Sequence, residues 1–508
     1  MVTDVLVIGG GLAGLRAAEV CASSRLDVTV LCNGQGSSPF IHGISVPLLK
    51  EDSVSLFFSD SLKSGHYHND QRLLKVLCEE SLSLLNEFEL DKKDEKYDLL
   101  NALGSSVPRV AFINGNTGAN VLRSIEKSAK YKKLKHTRAY QLIKKDGRVC
   151  GAKCYDIEKK IHFTISCKGV ILACGGFGGI FPFSTNSKDI SGDGIGMAYD
   201  VGAILKDLDF IQFEPSVAVH PKELIGKSII TTMLYEGAVI KNRNGERFMN
   251  ERQNKDSLSL EIYHEIKKGR GTEHGGVYYD MTNVDQKLLM NKYFNYYNRY
   301  KQLGIDISST PVEIAPAPHT TMGGVQINER CETSIKGLFA CGEVTGGLHG
   351  ANRLGGNAGL EVLIFGKIAG KSCTEFAHSV DNPPCEDGKN MTDDFFDVTA
   401  INEKIRSIAY YNLNVVRNIQ SMQQAVAECD ELFQELNGIK KKNSFNAISA
   451  KNNLVTLKLA LESSLLRDYN VGVCKIEGLE EFDASVRRGY SICVQQSNGT
   501  PHFEKELL

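Results

Sequence analysis

No apolar run in the sequence approaches the roughly 18 residues that a membrane-crossing helix needs, so no membrane insertion is expected. Neither charge sign dominates. Lys+Arg number 59 against 61 Asp+Glu, a formal net charge of −2, which argues against nucleic acid or an anionic membrane surface as partner. The 14 cysteines include no CxxC pair, and Cys150-x3-Cys154 alone is not a metal spacing. They read as reduced thiols, with no zinc or iron–sulfur framework and no metal site expected. The N-terminal MVTDVLVIGGG has no basic n-region and no cleavage site, and it runs straight into a strand. These absences describe a cytoplasmic protein. Its 508 residues, 42% hydrophobic and 24% charged, are too many for one core and predict two or three domains.

Glycine carries the first positive signal. Asp4–Leu15 reads DVLVIGGGLAGL, a buried strand followed by Gly9-x-Gly11-x-x-Gly14 and a helix. In that pattern Gly9 makes the tight turn, Gly11 lets backbone approach a pyrophosphate, and Gly14 packs helix against strand. The phosphate then meets the free N–H groups of the helix start. A second strand, DVTVLCNG, follows at βαβ spacing. It ends in Cys32 and Asn33 rather than the acid that holds an adenosine ribose in NAD sites, which leaves that contact to backbone or Asn33. Further on, GVILACGGFGG brings Gly175 and Gly176 to the end of another apolar strand, and KGLFACGE delivers Glu343 to a glycine corner. Gly355-Gly356-Asn357-Ala358 then opens the helix containing Leu360, whose N-terminus suits negative charge near flavin N1 and O2. A cradle in front and an acid with a helix dipole behind fit an extended FAD.

Five segments, VIGGGLAGL, SGDGIGMAYDVGAILKDLDFIQFEPS, NGERFMNE, HTTMGGVQIN and GLFACGEVTGGLHGANRLGGNAGLEVLIFGKIAG, resemble the flavoprotein subunits of succinate dehydrogenase, fumarate reductase and L-aspartate oxidase. They occur in the family's order over residues 1–370. The resemblance implies an α/β architecture: a Rossmann-like FAD-binding domain (1–216 and 316–385) interrupted by a capping domain (217–315), then a C-terminal helical domain (395–508). It implies FAD contacts at the glycines above and at Asp193, Glu343, Asn357, Ala358 and Leu360. It also implies that Arg353 and His319 hold a substrate carboxylate. An arginine's planar fork suits a carboxylate, and an imidazole adds a donor. The alternative for Arg353 is a salt bridge within its turn, and for His319 a loop cap. His349 reads as structural or flavin-facing.

Three departures from that family stand out. Its FHPT histidine, which holds a second carboxylate, is replaced in Phe213-Glu214-Pro215-Ser216, and an ionised Glu214 would repel a carboxylate. Its TExxRGEG segment becomes Thr231-Thr232-Met233-Leu234-Tyr235-Glu236-Gly237, which leaves Glu214, Thr231 and Thr232 to face the far end of the substrate. Its proton-donating arginine is matched by Lys255, with Arg252 as the rival donor and a solvated surface lysine as the alternative. His42 lies several residues beyond the place of a flavin-linking histidine, so non-covalent FAD is expected.

The run KLLMNKYFNYYNRYKQL reads as surface helix packing within a mobile cap. The lysine-rich stretch Lys127–Lys145 reads as a solvated face that leaves room for an acidic electron-transfer protein. Pro383-Pro384 marks a linker, and Gly438 with the Lys440–Lys442 cluster separates two helical patterns beyond it. The leading expectation is an FAD oxidoreductase that reduces or forms a C=C bond beside a carboxylate of a small substrate. The rivals are an L-aspartate-type amino-acid oxidase, in which Glu214 meets a cationic group, and a flavin electron relay whose substrate site has decayed.

Overall fold

The computed structural model describes residues 1–113, 116–128, 130–381, 391–440 and 443–508; Pro383, Pro384, Lys441 and Lys442 lie outside the described residues. A five-stranded parallel sheet organises the part expected to bind FAD, hereafter the FAD-binding part. Its strand order is Leu338–Ala340, Gly169–Leu172, Val5–Ile8, Val28–Cys32, Lys132–Lys135. Val5 pairs with Gly169 on one side and Val28 on the other, so the first strand is central and buried along its whole length. That placement explains its continuous apolar run, as both faces are covered.

Two helices from opposite ends of this part cross over the sheet. An added Cβ at Gly366 or Gly370, on the helix Asn357–His378, would come within 2.7 or 2.6 Å of the Ala13 or Ala17 carbonyl. Glycine at those two positions is what lets that helix lie directly on Leu12–Ser23.

Residues 211–321 leave and re-enter the FAD-binding part through two long strands, Ile211–Ala218 and Val312–Thr321, paired antiparallel. Val277–Asp280 and Val239–Lys241 extend that sheet. A second apolar cluster, including Met233, Leu258, Ile262, Tyr279 and Tyr300, fills this segment apart from the main core. The tyrosine-rich helix Phe294–Lys301 is not simply a surface element: Tyr296, Tyr297 and Tyr300 are buried in that cluster.

Three helices follow, Thr399–Asn412, Ile419–Asn437 and Phe445–Leu466. The chain then ends in a β-hairpin, Tyr490–Ser497 with Thr500–Leu507, whose first strand joins Leu205–Lys206 in an antiparallel pair. The C-terminal region is therefore helical with a terminal hairpin stitched back onto the FAD-binding part. Among the described residues no helix is long and apolar enough to cross a membrane.

Candidate active site

The glycine turn after the first strand behaves as the spacing demands. Gly9 sits at φ +128°, a conformation that L side chains rarely adopt, and a Cβ there would lie 2.1 Å from the Ala173 carbonyl. A Cβ at Gly14 would lie 2.1 Å from the Gly9 carbonyl, so this glycine sets the helix-to-strand distance. Gly11 is less crowded: a Cβ there would meet Ser38 Oγ at 3.0 Å and the Gln35 carbonyl at 3.5 Å. At the helix start the Leu12 amide donates to Ser38 Oγ at 2.8 Å, which marks Ser38 as a further polar group at the phosphate cradle.

Asn33, at the end of the second strand, is exposed. The loop that follows it is covered by residues 186–190: the Gly36 amide donates to Asp189 Oδ2 at 3.2 Å, and Ser37 Oγ donates to Asn186 Oδ1 at 3.0 Å. Gly175, at φ +77°, packs against Ile190 of that cover. Asp193 is buried and already engaged, ion-paired with Arg138 and accepting from Ser449 Oγ at 3.0 Å. Its carboxylate thus braces the cradle against the helix Phe445–Leu466.

Opposite the cradle, Gly356 at φ +87° turns the chain into the helix that begins at Asn357. Asn357 donates to Ser61 Oγ at 3.0 Å, and its side-chain oxygen is buried without a partner. Ala358 and Leu360 lie in the same first turn, where backbone N–H groups and the helix dipole favour an anionic ligand edge. Glu343 faces this region from the corner after Leu338–Ala340 and accepts from the Thr321 amide at 3.0 Å. Burial, reinforced by nearby Glu361, pushes its carboxyl up to about 7. A Cβ at Gly176 would sit 1.9 Å from Thr321 Oγ1 and 3.0 Å from Glu343, so Gly176 keeps that acid accessible. Two helix N-termini, a glycine cradle and a hydrogen-bonding acid at a neighbouring strand end fit a dinucleotide.

Arg353 occupies the loop just before that helix. It is 7% exposed, its Nη1 reaches only the Leu354 carbonyl at 3.4 Å, and its Nε has no partner. No salt bridge within the turn engages it among the described residues. Burial lowers its proton affinity, while Glu343, Glu214 and Glu361 oppose that effect. Gln212 fixes the loop by donating to the Arg353 carbonyl at 2.9 Å and to Asn352 Oδ1 at 2.7 Å. His349 is tied to Glu361 at 2.9 Å, a structural pairing that joins the loop to the helix behind it.

Glu214, on the strand Ile211–Ala218, is the centre of the remaining charges. Its Oε2 is ion-paired with Lys255 and lies 3.7 Å from His319 Nε2, and its Oε1 accepts from Ser216 Oγ at 3.0 Å. Lys255 is the first residue of the helix Lys255–Glu265 and is not on the outer surface, with 16% of its side chain accessible. His319 Nδ1 is 2.6 Å from Thr185 Oγ1, which orients the ring. Burial, then the Lys255 and Arg353 cations, holds the His319 imidazolium well below its ordinary range, so the ring is neutral.

His42 joins the same group. Its Nε2 is 3.1 Å from the Tyr296 hydroxyl, and burial followed by Lys255 lowers its pKa. Sequence position showed His42 only as a histidine too late for a flavin link. Its contact with Tyr296 crosses 254 residues, which linear spacing does not reveal. His42 is accessible to solvent, and His319 and Glu343 are partly so.

The structure therefore brings Arg353, His319, Glu214 and Lys255 together. It does not bring Arg252 to them: that side chain is exposed and lies over the Tyr235 ring at 5.5 Å. Thr231 and Thr232 are buried at the start of the short helical turn Thr231–Tyr235.

A family model described as an FAD binding domain matches residues 4–358. An L-aspartate oxidase of Clostridium perfringens is 35% identical over 400 residues, covering 75% of this chain and 88% of that protein. One of the subunits of the CoM/CoB fumarate reductase of Methanothermobacter marburgensis is 30% identical over 508 residues, covering 92% and 93%. Among solved structures, a mutated FrdA chain of E. coli quinol fumarate reductase superposes with a TM-score of 0.89 at 23% identity, covering 100% of this chain and 96% of that one, a likeness of fold.

Proposed function

The chain belongs to this FAD-binding family, alongside fumarate reductase and L-aspartate oxidase flavoproteins, and is an FAD-dependent oxidoreductase; on that footing we propose that it reduces, or forms, a C=C bond next to a carboxylate. FAD, held without a covalent bond, supplies the hydride exchange. The remaining tasks fall to side chains.

The observation that carries this reading is Arg353, a buried guanidinium with an unpartnered Nε in the loop before the helix Asn357–His378. A donor left without a partner in a dry site costs roughly 1–3 kcal/mol, and a substrate carboxylate would satisfy it. Neutral His319, oriented by Thr185, adds a second donor and leaves the positive charge to Arg353. Fixing one carboxylate in a planar fork also fixes the carbons attached to it, which is what hydride exchange requires. Lys255 then gives or takes the proton at the other carbon, with Glu214 as the partner that holds its ammonium in place.

Glu214 also argues for a substrate class. A buried carboxylate that accepts from Ser216 and pairs with Lys255 stands where a dicarboxylate would need a cation. The reading is therefore a monocarboxylate with a neutral or cationic far end. Glu214 gives specific support to a second reading, an L-aspartate-type amino-acid oxidase in which it meets the substrate ammonium. An electron-transfer protein partner belongs to the proposal as well, because one relative is a reductase subunit.

Anaerobic mixing of the holoprotein with saturated acids, enoates and amino acids, followed by flavin absorbance, tests this. Reoxidation of reduced flavin by monocarboxylate enoates is the expected result. Bleaching by amino acids alone would favour the oxidase, and silence with every compound would leave an electron relay.

A further inference from the structure

Residues Gly65–Asp70 follow the helix Val54–Ser64, and two consecutive non-glycine residues there, His66 and Tyr67, have φ of +52° and +61°. Each such residue costs on the order of 1 kcal/mol and persists only where its surroundings over-determine it. Here the determinants lie on both sides of the turn.

On one side it carries the Arg353 loop. The Ala351 amide donates to the Gly65 carbonyl at 3.0 Å, the Asp70 amide to the Gly347 carbonyl at 2.8 Å, and Asn69 Nδ2 to the Leu348 carbonyl at 2.9 Å. Asn352 adds a bond to Ser64 Oγ at 3.2 Å. Gly350 has no room for a side chain: a Cβ would lie 2.6 Å from the Gly65 carbonyl.

On the other side the turn reaches the capping segment. His66 Nε2 is 2.8 Å from Asp256 Oδ2, and Asp256 is the residue after Lys255 in the first turn of its helix. The Asp256 side chain is 2% accessible and its Oδ1 has no partner, so the His66 contact is what compensates its burial. The start of that helix and the Arg353 loop also both reach Gly104. A Cβ at Gly104 would fall 2.0 Å from Asn254 Oδ1 and 3.5 Å from Leu354 Cδ1.

We propose that the Gly65–Asp70 turn is a brace that sets Arg353 and Lys255 in register across the two parts of the chain, with His66 as the positioning residue that ties the capping segment to it. The proposal rests on the roles given above to Arg353 and Lys255. It explains why a strained turn presents an imidazole to a buried aspartate: the acid sits next to the proton-handling residue, and the same backbone holds the carboxylate clamp.

Holoprotein carrying His66→Leu and His66→Gln tests it, with flavin content as the control for folding. Hydrogen–deuterium exchange of the amides in 256–262 should quicken about tenfold in His66→Leu. With crotonate as the probe enoate, kcat should fall roughly ten- to a hundredfold while KM, set by Arg353, changes by less than about twofold. His66→Gln keeps a donor and should restore most of both. Asp256→Asn, which keeps the size of the side chain, serves if His66→Leu loses its flavin, and the same two shifts are then expected.

Unchanged exchange in the variants, equal damage from His66→Leu and His66→Gln, or faster exchange with unaltered kcat would overturn the brace. The exchange measurement needs no substrate. A wild-type protein that ignores crotonate therefore counts against the functional reading alone, and the exchange result still decides the brace.

Discussion

The flavin end and the proposed substrate end of this molecule are built from different materials. At the flavin end the determinants are backbone. Gly9 and Gly14 stand where a methyl group would overlap a carbonyl, and two helix starts supply N–H groups. At the substrate end they are side chains from separate segments: Glu214 on a connecting strand, Lys255 on a cap helix, His319 on a second strand and Arg353 on a loop. A backbone site cannot change without the fold changing. A side-chain site can exchange one charge for another on the same scaffold. The departures expected from the sequence, at Glu214 and 231–237, fall at the side-chain end, and the glycine turn that keeps its spacing falls at the backbone end.

If that contrast holds, substitutions at the two ends should fail in different ways. The largest effect is expected at Gly14→Val. Its added atoms meet the Gly9 carbonyl, so the variant should be insoluble or flavin-free; recovery of a yellow, folded protein would remove the backbone argument.

Arg353→Lys comes next. It keeps the charge but loses the fork, and should cost about 2–4 kcal/mol in kcat/KM at normal flavin content. Loss of FAD with substrate affinity intact would make the arginine part of the flavin end instead. Lys255→Met should spare carboxylate binding and slow the proton step about a hundredfold, visible as a lower kcat with a larger solvent isotope effect; normal turnover would return the donor role to Arg252 or water.

The smallest effect sharpens the boundary between the two ends, at Glu343. Its folded pKa, about 7, lies above the ordinary 4.5. A carboxyl raised in this way stabilises the fold fully below 4.5 and loses that contribution as pH rises through 7. Discounted for partial access to water, the loss is about 2 kcal/mol. Urea unfolding of flavin-stripped protein at pH 5 and pH 8 should therefore show a smaller drop for Glu343→Gln than for the wild-type chain, and equal drops would refute the assignment.

Much of the flavin end was legible in the sequence because its signals are local. GxGxxG, a strand before it and a helix after it all fall within a short window, and the packing follows the spacing. Arg353, His319 and Glu214 were also legible, through motifs. What the sequence could not display was who meets whom. Lys255 reads equally as a donor and as a surface residue until its contact with Glu214 is known, and His42 and His66 acquire meaning only from Tyr296 and Asp256. The terminal hairpin is a different kind of miss, because its signal was local. Asn498-Gly499, both at positive φ, is the dipeptide that turns tight hairpins, and it lies between two alternating runs.

The helix crossing built on Gly366 and Gly370 bears on how the chain comes to hold its cofactor. Leu12–Ser23 precedes its partner Asn357–His378 in synthesis, and the whole capping segment lies between them. Closing a loop of that length carries an entropic cost that no local contact offsets beforehand, so the crossing belongs late in the folding sequence. Until it forms, the cradle has one wall and the acid at Glu343 has no fixed address. Flavin uptake during refolding should accordingly follow the slow, long-range phase and not the early collapse, and the free cofactor should speed neither the folding of the first βαβ unit nor that of the capping segment.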